Sequence, residues 1–271
     1  MIAIYKPHTL QIETFANKHI MMNNNMTEII TKYLQRNRFS NFDLRAVLFD
    51  MDGVIYNSMP AHEDSWQQVM SEWNLKTEKN EFFIQEGRPA KFTIDLLFQR
   101  NLKRNATDEE IEKIYKRKTE LFFQYDTGEL ISGIKETIKL VKSKDLTPIL
   151  VTGSGQTGLW ERLDGDLPGV FSPEAMITAF DVEIGKPNPE PYLMGLEKAG
   201  NLKPHQAIVL ENAPLGVQSG HKANIFTIAV NTGPLIDNVL LDAGADLLMD
   251  SIDDLNDVLA KLFEVADTLK I

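Results

Sequence analysis

From about residue 128 onward one pattern recurs: a short apolar run, a polar turn, then hydrophobic residues at helical spacing. The pattern predicts helix 133–144, strand 147–152, helix 156–163, strand 176–180, helix 189–199, strand 206–210, helix 214–223, strands 226–230 and 246–249, and helix 251–268. Short buried strands joined by single helices predict a parallel α/β sheet with right-handed crossovers. One further apolar run, Ala46-Val47-Leu48-Phe49, fits the same sheet but lies far upstream. The intervening stretch shows no strand alternation. Instead, Trp66, Val69, Met70 and Trp73, then Ile94, Leu97 and Phe98, then Ile111, Ile114, Tyr115, Leu121 and Phe122 predict three or four amphipathic helices. The expected organisation is a core from 41–58 and 129–271, a helical cap inserted at 59–128, and an N-terminal extension over 1–40. Ile29, Ile30, Tyr33 and Leu34 predict a short helix within that extension, whereas residues 1–25 end in Asn23-Asn24-Asn25 and read as partly disordered and dispensable.

Composition narrows the function classes. A chain of 271 residues with 43% hydrophobic content can bury a full core. Its net charge of -11 disfavours nucleic-acid and anionic-membrane partners, so an anionic substrate would need a local positive site. Cysteine is absent, which removes disulfides, thiolate metal sites and cysteine nucleophiles. No apolar run approaches the roughly 18 residues of a membrane-spanning helix, and a compact signal-peptide core is missing near Met1. The expectation is a cytoplasmic protein, monomeric, with a small-molecule partner.

The chemistry-bearing residues gather at predicted strand ends, where open α/β sheets bind their ligands. Asp50-Met51-Asp52-Gly53 follows the first strand and carries two carboxylates one residue apart. Thr152 ends the next strand, with Gly153-Ser154-Gly155 leading toward a helix whose N-terminal N–H groups suit an anion. Residues 153–158 also spell G-x-G-x-x-G, the fingerprint of a dinucleotide site, which keeps a nucleotide-dependent oxidoreductase as a minor alternative. The acid such a site requires has only Asp181 as a candidate, too far downstream. Lys186 sits in Gly185-Lys186-Pro187-Asn188-Pro189, a loop stiffened by prolines, and Glu211-Asn212 follows a fourth apolar run.

This set resembles the four motifs of the haloacid dehalogenase superfamily, in its Mg²⁺-dependent phosphoryl-transfer branch, over about Arg45 to Asp250. Within it the chain is most similar to a β-phosphoglucomutase-like subgroup that includes an inorganic pyrophosphatase. Asn57-Ser58-Met59-Pro60, Glu86-Gly87-Arg88, Val151-Thr152-Gly153-Ser154-Gly155 and Glu211-Asn212-Ala213-Pro214-Leu215-Gly216 carry that similarity. The resemblance implies a Rossmann-like parallel core with an inserted α-helical cap. It also implies that Asp50 is the nucleophile, Asp52 the acid/base, and Thr152 and Lys186 the groups that hold the transferring phosphoryl. Mg²⁺ would take Asp50, the Asp52 carbonyl, Glu211 and the next residue. That residue departs from the common pattern, because Asn212 stands where a second acid is usual; by itself it reads equally as a helix N-cap.

In the cap, Arg88 matches a substrate-reading arginine, while Glu86 stands where the mutases have no acid. Glu86 is expected either to reach the metal when the cap closes, or to pair with Arg88 or Lys91 at the surface. Lys118 resembles a lysine that contacts substrate phosphate, and equally fits a solvated helix face. His62 matches a residue linked to acid/base gating, and Gly153 and Ser154 complete the substrate-binding set. The implied function is an Mg²⁺-dependent phosphohydrolase acting on a small phosphate, with pyrophosphate the best guess and β-phosphoglucomutase the alternative. Retention of both Asp50 and Asp52 argues against a catalytically silent binding module.

Overall fold

The computed structural model describes residues 25–155 and 159–269. Its centre is a six-stranded parallel sheet ordered β3-β2-β1-β4-β5-β6. The strands are β1 (Ala46–Phe49), β2 (Thr147–Val151), β3 (Met176–Ile177), β4 (Ala207–Glu211), β5 (Phe226–Val230) and β6 (Leu247–Met249). Every residue of β1, β4 and β5 is buried, as a parallel sheet covered on both faces demands. The two-residue period sorts them. Val47, Phe49, Ile208 and Leu210 enter one apolar cluster, and Ala46, Leu48, Ala207 and Val209 enter the other.

A helix over residues 25–37, α1, packs on the first of these faces. Met26, Ile30 and Tyr33 join its cluster, and the Tyr33 hydroxyl donates to the Asn224 carbonyl at 3.0 Å. The same face carries α6 (Ile134–Ser143), α7 (Leu159–Asp166) and α11 (Ile252–Thr268). The opposite face carries α8 (Glu190–Lys198) and α9 (Pro214–Lys222). The expectation that residues 1–25 are dispensable concerns a segment that lies outside the described residues except for its last position.

Four helices lie between β1 and α6: α2 (Met59–Glu72), α3 (Glu81–Ile84), α4 (Ala90–Leu102) and α5 (Asp108–Tyr125). They form the cap and enclose their own cluster, built from Trp66, Val69, Phe82, Ile94, Leu97, Phe98, Ile114 and Leu121 among others. In α5, Ile114, Lys118, Leu121 and Phe122 share the inward stripe, and a Thr107–Glu110 capping box fixes where the helix starts. Lys118 is therefore buried by helical phase, which overturns the solvated-face reading.

Two elements differ from expectation. The strand predicted over 176–180 ends at Ile177, because the Asp181 carboxylate accepts from both the Thr178 N–H at 2.8 Å and its hydroxyl at 2.7 Å. That local turn competes with strand pairing. A short helix, α10 (Asp237–Asp242), lies between β5 and β6 where only a connection was expected.

Candidate active site

Three adjacent strands deliver the central groups. Asp50 follows β1, and its N–H donates to the Leu210 carbonyl of β4 at 2.9 Å, so the first carboxylate sits directly beside the Glu211-Asn212 pair. Thr152 follows β2 on the other side. Lys186 comes from the loop between β3 and α8 and is 3% exposed. Its ammonium donates to Asp50 Oδ1 at 2.6 Å, Glu211 Oε1 at 2.7 Å and the Val151 carbonyl at 3.1 Å. Three donors meet three acceptors, so Lys186 is fully satisfied and fixed.

Glu211 is equally occupied. Oε1 accepts from Lys186 and from the Tyr192 hydroxyl at 2.7 Å, and Oε2 accepts the N–H groups of Asn212 at 3.0 Å and Ala213 at 3.2 Å. Gly216 makes room for this posture, since a Cβ there would lie 1.7 Å from Glu211 Oε1. With its oxygens engaged by four donors, Glu211 orients Lys186. Tyr192 was not singled out from sequence. It lies inside the amphipathic face of α8, where nothing separates it from an ordinary core aromatic.

Electrostatics at this cluster run against an ionised Asp50. Burial first, then the Glu211 charge, push the Asp50 carboxyl well above the usual range, with Lys186 opposing them. Burial also works against the Lys186 charge, but Asp50 and Glu211 outweigh it and hold the ammonium protonated. Asp50 and Glu211 place two carboxyl groups against one fixed lysine, a net negative charge that a further cation would offset. Asn212 Oδ1 is buried with no hydrogen-bond partner among the described residues, an expensive state for an amide oxygen. Asn212 does not cap a helix, since the N-cap of α9 is Ala213. Among the described residues no three acidic or histidine side chains converge at metal-ligand spacing. A set of Asp50, the orphaned Asn212 oxygen and main-chain carbonyl oxygen nevertheless fits a hard divalent cation that retains several waters.

Asp52 faces the cap. Gly53, at φ +88°, turns the chain there, and a Cβ on it would stand 1.8 Å from Asn212 Nδ2. Asp52 Oδ1 accepts from the Ser58 hydroxyl at 2.5 Å and lies 3.2 Å from His62 Nε2. Ser58, quoted in sequence only as part of a motif, is thus a direct partner of the acid/base candidate. His62 Nδ1 lies 2.7 Å from Lys118 Nζ. That contact holds one proton: with the Lys118 ammonium donating, His62 keeps its own proton on Nε2 and directs it at Asp52. Burial alone would raise the Asp52 carboxyl, but His62, Ser58 and the Lys118 charge outweigh it and hold it at about 2. Burial depresses Lys118 to about 8, with Glu86 and Asp52 pulling it back up. The ammonium also lies 4.8 Å from the centre of the Phe122 ring and 5.6 Å from that of Trp66.

Between cap and core lies a cavity of about 90 Å³, bordered by Asp52, His62, Lys118, Gln85, Glu86 and Arg88 and reaching Gly153 and Ser154. By the measure that assigns one water roughly 10–15 Å³, it holds about six to nine waters or a compact anion. Glu86 pairs with neither Arg88 nor Lys91, whose ammonium instead lies 3.8 Å from Asp108. The cap turn rests on the core: a Cβ on Gly87 would meet Lys186 Cδ at 3.1 Å, and one on Gly153 would meet the Gly87 carbonyl at 3.4 Å. Gly155 likewise leaves space for Phe180, at 3.1 Å. These two glycines of the G-x-G-x-x-G run therefore serve close packing, and residues 156–158 of that run lie outside the described residues. The Thr152 hydroxyl accepts the Ser154 N–H at 3.0 Å, which sets the start of the loop.

Comparison with known proteins agrees with this architecture. The family described as haloacid dehalogenase-like hydrolase matches residues 44–224. The chain is 28% identical to a phosphorylated carbohydrates phosphatase of Thermotoga maritima, over 76% of this chain and 94% of that one. It is 30% identical to hexitol phosphatase A of Escherichia coli, over 69% of this chain and 83% of that one. A solved structure from Bacteroides vulgatus that carries the provisional name β-phosphoglucomutase superposes with a TM-score of 0.86 at 48% identity, covering 92% of this chain and all of the other. With the family matched over most of its length and the motif residues at the carboxyl edge of its sheet, the chain belongs to the haloacid dehalogenase-like hydrolases.

Proposed function

We propose that this chain is an Mg²⁺-dependent phosphohydrolase that works through a phosphoaspartyl intermediate on Asp50, with inorganic pyrophosphate as its leading substrate. The observation that carries this reading is the division of labour between the two carboxylates. Asp50 is tied to the core lysine, and Asp52 is tied through His62 to the cap. In the first step Asp50 attacks phosphorus and the bond to the leaving oxygen breaks, with Asp52 returning a proton to that oxygen. In the second, Asp52 takes a proton from water as the water attacks the acyl-phosphate and frees Asp50. Held near 2, Asp52 is ionised and ready as a base. Its acid duty needs a proton, which balances if the His62 Nε2 proton passes to Asp52 as the Lys118 ammonium gives one to His62 Nδ1.

Lys186 offsets charge on Asp50 and on the transferring group, while the Thr152–Ser154 segment borders the phosphoryl on the core side. Members of this family typically use Mg²⁺; when bound, the ion supplies positive charge that keeps Asp50 ionised and neutralises phosphoryl oxygens. Asp50, Asn212 Oδ1 and the Asp52 carbonyl would hold it, with Glu86 approaching from the cap. Support for pyrophosphate comes from a small cavity that sets Lys118 and Arg88 beside an unpaired Glu86. The names of two relatives, phosphorylated carbohydrates phosphatase and hexitol phosphatase A, support sugar and polyol phosphates as the next candidates. The β-phosphoglucomutase name of the 48% identical structure favours a second reading as a mutase.

One panel separates these readings: pyrophosphate, glucose phosphates and hexitol phosphates, each scored for phosphate release and for isomerisation. Pyrophosphate should give the highest kcat/KM for release. Efficient isomerisation of glucose phosphates with pyrophosphate ignored would replace the hydrolase by the mutase.

A further inference from the structure

A second, larger cavity of about 690 Å³ opens behind the cap turn and shares Arg88 and Pro89 with the first. Its cap wall is the start of α4, with Pro89 and Phe92, and its core wall is the loop around Ile184 together with Lys222 on α9. Phe92 and Ile184, which both line this cleft, are 58% and 56% exposed. The charged groups are Glu183, Lys222, Arg88, which also borders the catalytic cavity, and Lys186, whose ammonium is already held by Asp50, Glu211 and the Val151 carbonyl. Arg88 makes no side-chain hydrogen bond or ion pair among the described residues, and Lys222 donates once, to the Pro187 carbonyl at 3.1 Å. Sites for small organic molecules commonly measure roughly 300–1,000 Å³, combine apolar walls with a few polar groups, and occur where two structural units meet.

We infer that this cleft, which adjoins the catalytic cavity at Arg88 and Pro89, is a further binding site for an aromatic organic anion: a flat apolar body between Phe92 and Ile184, and a sulfonate, carboxylate or phosphate toward Lys222. The charge balance favours an anion over a neutral or cationic ligand, and the exposed apolar side chains favour an aromatic body over a sugar. An occupant touches the cap and the loop that carries Lys186 at once. It therefore stabilises the arrangement in which those walls face each other, by its difference in affinity between that arrangement and an open one. Product release from a capped site requires the walls to part, so occupancy slows turnover. The inference does not depend on which phosphate the catalytic cavity accepts.

Anilinonaphthalene sulfonate serves as the probe because its fluorescence rises on entering an apolar site. The full-length protein should bind one molecule per chain, undisturbed by saturating inorganic phosphate with Mg²⁺, and bound probe should lower kcat on whichever substrate is turned over best. Ile184→Asp places a charge against the apolar body and should weaken binding at least about tenfold. Lys222→Glu should weaken it roughly threefold to fivefold. Both positions lie outside the catalytic set, so basal activity should be unchanged. Ile236→Asp, at a side chain 72% exposed and outside the cleft, should bind the probe as the wild type does. Equal binding by wild type and Ile184→Asp, displacement of the probe by phosphate, or equal loss in Ile236→Asp would each overturn the assignment.

Discussion

The core side of the candidate site and its cap side are built on opposite plans. On the core side Lys186 donates three hydrogen bonds and Glu211 accepts four, and both are almost fully buried. On the cap side, among the described residues, Arg88 and Glu86 have no ion-pair partner and Gln85 Oε1 has no hydrogen-bond partner. A closed network fixes geometry whatever the substrate, which suits a nucleophile that must meet phosphorus the same way each time. Open groups lower their energy only when a ligand arrives, which suits the surface that chooses it. Lys118 and His62 join the two, carrying a cap cation to within two hydrogen bonds of Asp52.

The largest effect should come from the core side. Asp50→Asn keeps the shape and an acceptor for Lys186 but cannot attack phosphorus. Turnover should fall by about 10⁴-fold or more, a loss on the scale seen when a catalytic nucleophile is deleted. Burial already disfavours the Asp50 charge, so the melting temperature should change little. Residual activity near wild type in steady-state assays would show that the tight network is structural and that the chemistry resides elsewhere. Asp52→Asn should be the next most severe, by about 10²- to 10⁴-fold, the usual contribution of general acid–base assistance. An equal loss for fast-leaving aryl phosphates and for slow-leaving alkyl phosphates would remove the acid role, because leaving-group protonation matters only for the latter.

The same contrast explains how far the sequence could be read. Asp50, Asp52, Thr152, Lys186, Glu211 and Asn212 stand at strand ends, and strand ends are visible as apolar runs that stop. Where each side chain turns is not. Glu211 reads as a metal ligand until Tyr192 and two N–H groups are seen around it, and Tyr192 hides because a buried tyrosine on α8 has the same spacing as any core residue. Lys118 was ambiguous for a related reason: helical phase puts it beside Ile114, Leu121 and Phe122, yet a lysine in Lys116-Arg117-Lys118 also suits water. The cleft behind Phe92 left no mark in the chain, since it depends on how α4 meets the loop near Ile184.

The link between the two sides should show as a pH effect of intermediate size. Lys118 has a folded value of about 8, depressed by burial from an ordinary 10.5. Below about 8 the cation is present at the cavity, and as pH rises through that value it is lost. KM should therefore climb above about pH 8, by about tenfold or more if a charged hydrogen bond to substrate disappears. Folding stability should move the other way. Between about 8 and 10.5 the unfolded chain binds the extra proton, so stability rises with pH there. Lys118→Met should start with the high KM and lose the alkaline rise. A KM that is flat from pH 7 to 10 in the wild type would separate Lys118 from substrate.

The smallest expected change is the most informative about the cap. Glu86 borders the cavity beside Lys118, whose charge it supports, and it meets no other cation among the described residues at ion-pair distance. An isolated carboxylate in a phosphate-reading wall repels its own substrate unless a cation intervenes, and the acid missing at Asn212 leaves a metal on the core side short of one negative charge. If Glu86 completes that metal, Glu86→Ala should weaken Mg²⁺ binding in the substrate complex and lower pyrophosphate turnover relative to bulky phosphate esters by about fivefold. If it only tunes Lys118, the variant should instead lower the Lys118 titration point and affect every substrate alike, with Mg²⁺ dependence unchanged. Titrating Mg²⁺ at fixed pyrophosphate and at a fixed ester, in wild type and variant, distinguishes the two. An unchanged Mg²⁺ requirement together with unchanged substrate preference would reduce Glu86 to a neighbour of Lys118, and selection of pyrophosphate would then have to rest on the size of the cavity alone.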